Sequence, residues 1–337
     1  MSTTVPDLDA IARLLPRGYA ARPFRDEDRE ALVAIGNAEA HPVQQESAEE
    51  WRRWEALMPD PTALRLVVEA TGAGIVGGAN VSTGGPFPAP DGSARGGLRV
   101  AADHRRRGIG SALLPALEED ARRRGAPFLR SGARADQPVA LDWALKRGYR
   151  EIGRRIQAFV DLTRFDPKPW EERHRRPLAN GIRFATVAEL LAGRDEAARE
   201  DLYHGIWEAE REPFEDVPVA TPMSHWPYDA FRRTWDSPGA APDLSILAFD
   251  GDEIVGMTTS YRSEGDKAGT GFTGVARAHR GRGIAFALKV DALRRAKAAG
   301  LRWMTTTNDE PNKAMRGINY ELGYEMLPAH VQVEKKL

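Results

Sequence analysis

The spacing of apolar side chains along this chain predicts short strands that alternate with amphipathic helices. Apolar residues at positions 109, 112, 113, 116 and 117 fall on one helical face, and Gly125 ends that helix. Apolar runs at 64–68 and 75–79 flank Thr71 and Gly72, which predicts a β-hairpin. The pattern therefore favours the α/β class, with helices packed on a sheet that contains hairpins.

The same order of predicted elements occurs a second time. A hairpin pattern surrounds Asp250 and Gly251, and a strand and a helix lie on either side of Gly283. A constant offset of 175 residues relates three pairs of glycines: Gly108 and Gly283, Gly125 and Gly300, and Gly148 and Gly323. Self-similarity at one offset across half of the chain indicates a duplicated domain.

The boundaries of the two copies follow from composition. The segment between them is rich in proline and charge, which is typical of a linker. We therefore expect an N-terminal domain over 1–165, a linker over 166–179 and a C-terminal domain over 180–337. The second copy has about 16 additional residues between its first strand and its hairpin.

Composition narrows the possible functions. The 337 residues carry a formal net charge of −1, so no electrostatic attraction to nucleic acid or to an anionic membrane is expected. The absence of cysteine excludes disulfides, thiolate metal sites and a cysteine nucleophile. No apolar run approaches the ~20 residues that span a bilayer, and the first seven residues lack a secretory signal pattern. We expect a cytoplasmic protein without a metal, nucleic-acid or membrane partner.

One short phrase in each copy carries the candidate chemistry. Both copies read Arg-x-x-Gly-x-Gly/Ala between a strand and a helix. The phrase comprises Arg105, Arg106, Arg107, Gly108, Ile109 and Gly110 in the first copy, and Arg280, Gly281, Arg282, Gly283, Ile284 and Ala285 in the second. Unpaired N–H groups at a helix N-terminus bind phosphate, glycine allows close approach, and arginine adds charge-assisted contacts. The sequence therefore predicts two phosphate-binding turns.

This phrase and the order of elements around it resemble the GNAT N-acetyltransferase superfamily. The resemblance covers nearly the whole chain as two tandem GNAT (acyl-CoA N-acyltransferase) domains, an arrangement also found in mycothiol synthase. It implies a mixed α+β sheet in each domain that opens between the fourth and fifth strands. It also implies acetyl-CoA (CoA) as the cofactor, with its pyrophosphate on the phrase and its pantetheine arm between the open strands.

The resemblance assigns further residues beside the phrase. Backbone groups of Val275 and Ala276, and of Val100 and Ala101, are expected to pair with the pantetheine arm, and Ser111 extends the first phrase. The Val275 N–H is expected to face the thioester carbonyl, as in an oxyanion hole.

The second copy is richer in polar residues after its phrase. Asn308 ends the strand that follows, and Asn312 and Asn319, seven residues apart, share one face of the next helix. The resemblance places Asn312 beside the cofactor arm, and all three residues are candidates for cofactor binding or catalysis. Helix capping by Asn308 or Asn312 and a solvated Asn319 are the alternatives. The first copy has Gln137 and Ala144 where Asn312 and Asn319 stand.

Acetylation of an amine also requires proton transfer. An amine with a pKa of about 10.4 is only about one part in a thousand neutral at pH 7, so a positioned base is expected, direct or through water. The longer segment of the second copy supplies Asp216 and Glu212 as leading candidates, and a solvated acidic face is the alternative. The other candidates for the base on this segment are Glu208, Glu210 and Glu215.

The general acid departs from the family pattern. Many GNAT enzymes have a tyrosine at the position of Asn319, and neither copy has one there. Water or Tyr324 is therefore expected to protonate the leaving thiolate.

Together these features predict an acetyl-CoA-dependent N-acetyltransferase. We expect its C-terminal domain to acetylate the amine of a small molecule by direct attack. Two alternatives stay open: a non-catalytic CoA-binding regulatory protein, and a peptide or protein N-acetyltransferase. Because a tandem pair resembles a GNAT homodimer, a monomer or a homodimer is expected.

Overall fold

The computed structural model describes residues 7–57, 59–84, 89–221 and 223–337. The chain forms two compact units. Unit 1 comprises the chain up to Arg154 together with Thr221–Ser224 and His330–Leu337, and unit 2 comprises Arg155–Ala220 and His225–Ala329. The first residues, on which the expectation about a secretory signal rests, lie outside the described residues.

Unit 1 contains a sheet and the helices that pack on it. Its helices are α1 (Leu8–Leu14), α2 (Arg29–Asn37), α3 (Ala48–Leu57), α4 (Ile109–Arg123) and α5 (Pro138–Leu145). Its strands are β1 (Tyr19–Pro23), β2 (Leu64–Ala70), β3 (Gly74–Ser82), β4 (Ala94–Val100) and β5 (Phe128–Arg134), with the last strand of the chain, β13 (His330–Lys336). The strand order is β1-β2-β3-β4-β5-β13, and β4 and β5 are parallel.

Unit 2 repeats this plan with additional helices. Its helices are α6 (Glu171–Ala179), α7 (Val187–Leu191), α8 (Glu196–Glu215), α9 (Tyr228–Asp236), α10 (Ile284–Ala298) and α11 (Lys313–Glu321). Its strands are β7 (Ile182–Thr186), β8 (Ile246–Asp250), β9 (Glu253–Arg262), β10 (Lys267–Val275), β11 (Trp303–Asp309) and β12 (Glu325–Met326), with β6 (Arg150–Asp161) from Arg155 onward. The strand order is β7-β8-β9-β10-β11-β6, β12 lies beside β6, and β10 and β11 are parallel. Both sheets confirm the predicted mixed α/β class.

The closing strand of each unit differs from the predicted division. The C-terminal strand β13 pairs antiparallel with β5 of unit 1, where Glu334 is buried and accepts hydrogen bonds from Arg130 and Arg150. Strand β6, which follows the first copy in sequence, pairs antiparallel with β11 of unit 2. The alternation of side chains predicts that each closing strand exists. It does not predict which strand each one pairs with, because β5 and β11 offer equivalent open edges.

The segment predicted as a linker is a helix of unit 2. Residues of α6 pack on α10: Pro177 is buried, and the guanidinium of Arg173 lies 3.8 Å from the ring centroid of Phe286. Trp170, just before α6, meets the same ring edge-on at 5.7 Å. The prolines and charges of this segment therefore belong to a packed helix rather than to a flexible connection.

The core of unit 2 has one layer on each face of the sheet. Along β8 the side chains alternate: Ile246 and Ala248 pack with α10, whereas Leu247 and Phe249 pack with α8. Helix α10 therefore lies under the sheet, and the longer early segment forms the cover of the opposite face. No helix in the described part of the chain is long and apolar enough to cross a membrane.

Candidate active site

The fourth and fifth strands of each unit separate after a short pairing. In unit 2, β10 and β11 pair only from Lys267–Trp303 to Gly269–Thr305, and the register of β10 against β9 shifts between Thr270 and Phe272. In unit 1, β4 and β5 pair only at Ala94–Leu129 and Arg95–Arg130. Each unit therefore has the gap that the resemblance implies.

Backbone groups of the fourth strand determine which atoms face the gap of unit 2. The Ala276 N–H donates to the Val255 carbonyl at 2.9 Å, and the Ala276 carbonyl accepts from His279 at 2.9 Å. Because successive residues of a strand present their N–H groups on opposite edges, Val275 faces the gap. The Val275 carbonyl accepts a hydrogen bond from the Arg280 Nε at 3.0 Å. The N–H and C=O of one strand residue point to the same edge, so the Val275 N–H also points into the gap.

The same arrangement in unit 1 corrects one expectation. The Ala101 N–H donates to Val76 at 2.8 Å, and the Arg105 Nε donates to the Val100 carbonyl at 2.9 Å. The backbone hydrogen-bonding groups of Ala101 and Ala276 are therefore already used within their own units. Of these four residues, Val100 and Val275 present an N–H to a ligand in the gap.

The glycine phrase forms the turn that leads into helix α10. Gly281 and Gly283 have φ values of 74° and 81°, in the left-handed region that side chains disfavour. Gly283 is the N-cap, and within the described residues no side chain caps this helix. The first N–H groups of α10, beginning at Ile284, therefore lack an intrahelical acceptor. Ile284 itself is buried in the core, so it can contribute its backbone only.

The phrase of unit 1 has the same backbone with different side chains. Gly108 caps α4 with φ 91°, and Arg106 adopts φ 63° where unit 2 has Gly281. Ser111 in the first turn accepts a 2.8 Å hydrogen bond from Arg147, and the Trp143 ring lies against Gly110. Arg107 donates to the Tyr19 hydroxyl at 3.3 Å.

The two leading base candidates contact arginines of the phosphate turn. Asp216 accepts from the Arg277 Nε at 2.7 Å and from the Arg280 Nη2 at 2.7 Å. Glu212 accepts from the Arg277 backbone N–H at 2.9 Å. The hydrogen bonds from Arg277 and then Arg280 hold the pKa of Asp216 far below its ordinary value. Such a carboxylate accepts a proton poorly, so this geometry favours an electrostatic role for Asp216 over the base role that the sequence suggests.

Unit 1 has a different carboxylate at its phosphate turn. Glu39 accepts from Arg105 and from the Gln137 Nε2 at 3.2 Å, while its backbone carbonyl accepts from Arg134 at 2.6 Å. Arg105 follows the end of β4, and Gln137 follows the end of β5. One carboxylate therefore links the two sides of the gap in unit 1.

The three asparagines of unit 2 occupy two environments. The Asn319 Nδ2 donates to the Asn308 Oδ1 at 2.7 Å, and Asn319 is buried. The Oδ1 of Asn319 has no hydrogen-bond partner within the described ranges. Asn312 caps α11, because its Oδ1 accepts from the Met315 N–H at 3.2 Å. Capping, one of the two interpretations of Asn312, is therefore observed, and Asn319 is buried rather than solvated.

Tyr324 lies inside unit 2 beside the start of the gap. The ring is buried. Burial raises the pKa of Tyr324 well above its ordinary value, and the Thr270 side chain of β10 opposes that shift only in part. Tyr324 therefore retains its proton strongly.

Sequence reasoning did not distinguish Glu210 from the other base candidates and did not identify Lys289. Glu210 alone of the acidic residues on the longer segment is buried, and its Oε1 lies 3.5 Å from the Nε2 of His225. The His225 ring packs against Trp207 and Phe214, with centroids 5.6 and 5.1 Å away. The helical periodicity of α8 could have separated Glu210 from its exposed neighbours.

The residue that was not identified is Lys289, in helix α10. Its side chain is 2% exposed. A lysine inside the apolar run 284–290 is the sequence signal that could have identified it. Among the described residues, no group of three or more histidine or acidic side chains could hold a metal ion.

Comparison with known proteins agrees with this geometry. Residues 25–149 and 199–324 match the model of the acetyltransferase (GNAT) family. The chain is 29% identical over 230 residues to a mycothiol acetyltransferase of Geodermatophilus obscurus, covering 66% of this chain and 68% of the relative. It is 26% identical to a mycothiol acetyltransferase of Streptomyces scabiei, covering 88% of each. A GCN5-related N-acetyltransferase structure from Sphaerobacter thermophilus superposes with a TM-score of 0.73 at 23% identity, over 96% of both chains.

Proposed function

Because this chain belongs to the acetyltransferase (GNAT) family, we propose that unit 2 transfers an acetyl group from acetyl-CoA to the amine of a small molecule. Two features of unit 2 carry this proposal together: the β10–β11 gap, which the Val275 N–H faces, and the uncapped turn at the start of α10. The two relatives are named for a small molecule, which supports a small acceptor.

The residues of unit 2 fit acetyl-CoA. The turn from Gly281 to Gly283 presents N–H groups at a helix N-terminus, the arrangement that binds a pyrophosphate. An added Cβ at Gly281 would meet nothing within 4 Å, so the space in front of this turn is open. The unpartnered Asn319 Oδ1 is an acceptor for an amide N–H. When bound, acetyl-CoA supplies an activated acetyl thioester.

The chain can stabilise negative charge both at the gap and at the turn. The Val275 N–H is the donor for an oxygen that becomes negative during attack on a carbonyl. Arg280 and Arg277 lie at the phosphate end, and Asp216 neutralises them in the structure. A pyrophosphate would compete with Asp216 for the same guanidinium groups.

We assign the role of general base, which takes up the proton of the attacking amine, to the pair Glu210 and His225. Glu210 is buried and faces an imidazole instead of an arginine, which distinguishes it from Asp216. Phe214 joins this pair to the irregular part of β10, since its ring lies 5.1 Å from His225 and 6.2 Å from Phe272. The pair therefore lies one aromatic ring away from the strand that borders the gap.

Unit 1 does not fit the cofactor in the same way. Glu39 accepts hydrogen bonds from Arg105 and Gln137 on the two sides of the gap. Arg147 donates a hydrogen bond to the Ser111 hydroxyl in the first turn of α4. Arg106 also has a side chain where unit 2 has only the hydrogen of Gly281. We assign a structural role to unit 1.

The test uses two matched glycines. Gly283 and Gly108 both cap a helix with left-handed φ values, so a glutamate strains both sites equally. Gly283→Glu should abolish CoA release from acetyl-CoA over a panel of small amines, whereas Gly108→Glu should retain it. A thiol reagent can follow the released CoA without background, because the chain has no cysteine.

The opposite result would contradict the assignment. Loss of turnover in Gly108→Glu, with turnover kept in Gly283→Glu, would place the chemistry in unit 1. Tight acetyl-CoA binding without CoA release for any amine would favour the regulatory alternative, and turnover with peptides alone would favour the peptide acceptor. Circular dichroism of both variants controls for folding.

A further inference from the structure

Lys289 is a buried ammonium group in the middle of helix α10. It lies in the run Phe286–Val290, whose other members are apolar. Its Nζ has no hydrogen-bond partner in the part of the chain that the structure describes. A buried polar atom without a hydrogen bond is costly in a protein interior. The Tyr324 ring gives the ammonium a cation–π contact but no hydrogen-bond acceptor, so the N–H groups of Lys289 are left for a ligand.

The helical geometry of α10 shows where Lys289 points. Residues advance by about 100° around a helix axis. On one side, Ile284, Leu288 and Ala292 pack toward strands β7 to β9. On the other side, Phe286 and Val290 pack with the core around β11, beside Leu293. Lys289 falls between these two sets and is therefore directed at the sheet near the boundary of β10 and β11.

The nearest ring identifies this place as the start of the gap. The Nζ of Lys289 lies 5.0 Å from the ring centroid of Tyr324. The Tyr324 hydroxyl lies near the Thr270 side chain, and Thr270 is the first residue of β10 beyond Gly269, where pairing with β11 ends. Lys289 therefore approaches the gap from the face of the sheet that α10 covers, at the point where β10 and β11 separate.

The charged groups packed around α10 are engaged elsewhere. On α10 itself, Asp291 pairs with Arg295, and Arg294 pairs with Glu171 of α6. His174 of α6 accepts from Arg294. From the sheet side, the ionisable neighbour of Lys289 is Tyr324, which retains its proton. Burial alone lowers the pKa of Lys289 to about 7.

A second atom without a hydrogen-bond partner in the described ranges lies on α11, in the residue that contacts Asn308 at the end of β11. Asn319 anchors the Tyr324 backbone, whose N–H donates to the Asn319 carbonyl at 3.0 Å, and its buried Oδ1 lacks a donor within the described residues. Lys289 therefore offers a donor and Asn319 an acceptor. A secondary amide, such as each of the two in a pantetheine arm, provides the complementary carbonyl and N–H.

We infer that Lys289 binds the amide-containing arm of the acyl-CoA as a buried cationic donor, with Asn319 as the matching acceptor. This inference rests on the proposed function. A carbonyl that accepts from the ammonium favours its charged form, so Lys289 takes up a proton when the ligand binds above pH 7. Affinity therefore decreases as the pH rises, because more of the unliganded protein has lost this proton.

Calorimetric titration with acetyl-CoA tests the inference without turnover. The variants are Lys289→Met, of similar length, and Lys297→Met, which removes an exposed lysine from the same helix. Lys289→Met should weaken binding at pH 7 by roughly tenfold or more, as expected for a charge-assisted hydrogen bond, and Lys297→Met should not. At pH 8, titrations in buffers of different ionisation enthalpy should show proton uptake by the wild type that Lys289→Met lacks.

A ligand without the arm gives a second control. Adenosine 3′,5′-bisphosphate carries the nucleotide end only, so Lys289→Met should bind it as the wild type does. Equal acetyl-CoA affinities of wild type and Lys289→Met, or equal weakening for both ligands, would overturn the inference. Absence of proton uptake by the wild type would do so even if the variant failed to fold. Failure of the wild type to bind acetyl-CoA at all would instead overturn the proposed function.

Discussion

Asp216 and Arg280 form an ion pair at the phosphate turn of unit 2, with 2.7 Å between Oδ2 and Nη2. The same carboxylate also pairs with Arg277. Asp216 therefore neutralises the two arginines that, in the proposed function, would contact a pyrophosphate. This contact connects the longer segment of the second copy to the glycine phrase.

The first prediction follows from this competition. Asp216→Asn should increase the affinity for acetyl-CoA by about two- to fivefold, the range expected for an exposed ion pair, because Arg280 no longer has an internal partner. The turnover number should change little. Titration calorimetry and steady-state kinetics measure the two quantities. A base role for Asp216 predicts the reverse, with unchanged affinity and a large loss of turnover.

Glu210 provides the second prediction. Glu210→Gln should lower the turnover number by about 100-fold, since positioned acid–base groups contribute that order of rate, and should leave acetyl-CoA affinity unchanged. Glu208→Gln is the matched control, because Glu208 lies on the same helix and is exposed beside Arg211. Equal turnover numbers for the two variants across pH 6 to 9 would contradict a role of Glu210 as the general base.

Sequence reasoning predicted the backbone around the glycine phrase better than the surroundings of the side chains. The glycine phrase predicted the turn and the helix start at Gly283, because only backbone conformation and open space are required there. The roles of Asp216 and Glu212 depend on which arginines lie opposite them across the fold. Proximity in the sequence does not contain that information. Acidic residues that looked equivalent therefore lie in different environments: Asp216 and Glu212 contact arginines, whereas Glu210 is buried.

The same distinction explains the errors in the division of the chain. Apolar alternation predicted that closing strands follow Tyr149 and Tyr324, and both strands exist. It could not specify that β13 completes unit 1, because this depends on contacts such as Arg130 with Glu334, 204 residues apart. Prolines predicted a linker where Pro177 instead lies buried inside a helix.

The stoichiometry of cofactor binding is the third prediction. Titration should give one acetyl-CoA per chain for the wild type, because Glu39 links Arg105 to Gln137 across the gap of unit 1. Gly108→Glu should leave this value at one, and Gly283→Glu should reduce it to zero. Two sites in the wild type, one of them lost in Gly108→Glu, would show that unit 1 also binds the cofactor.

Arg106 supports a fourth prediction, on stability. A non-glycine residue at φ 63° is strained by about 1 kcal/mol, and the side chain of Arg106 is exposed. Arg106→Gly, which copies Gly281 of unit 2, relieves this strain but gains unfolded-state entropy of similar size, so it should change the melting temperature of unit 1 by less than about 2 °C. Arg107→Gly is the control and should lower the melting temperature by about 2–4 °C, since it gains the same entropy without relief of strain and also loses the hydrogen bond to Tyr19. Scanning calorimetry measures both, and equal melting temperatures for the two variants would contradict the strain.

The last prediction concerns the cost of burying Lys289 when no ligand is bound. Its pKa is about 7 in the folded protein and about 10.4 in an unfolded chain, so between these values the unfolded state holds more protons. The free energy of unfolding should therefore rise with pH in this window, by about 1.4 kcal/mol per pH unit at most. Below pH 7 both states are protonated, and the penalty is complete.

Lys289→Met isolates this contribution, because the other titrating groups are common to both proteins. The variant should be more stable than the wild type at pH 7, and the difference should shrink as the pH rises toward 10. Urea denaturation of ligand-free protein at pH 7, 8 and 9 measures it. A constant difference across these values would mean that Lys289 keeps an ordinary pKa, which requires a partner within the protein.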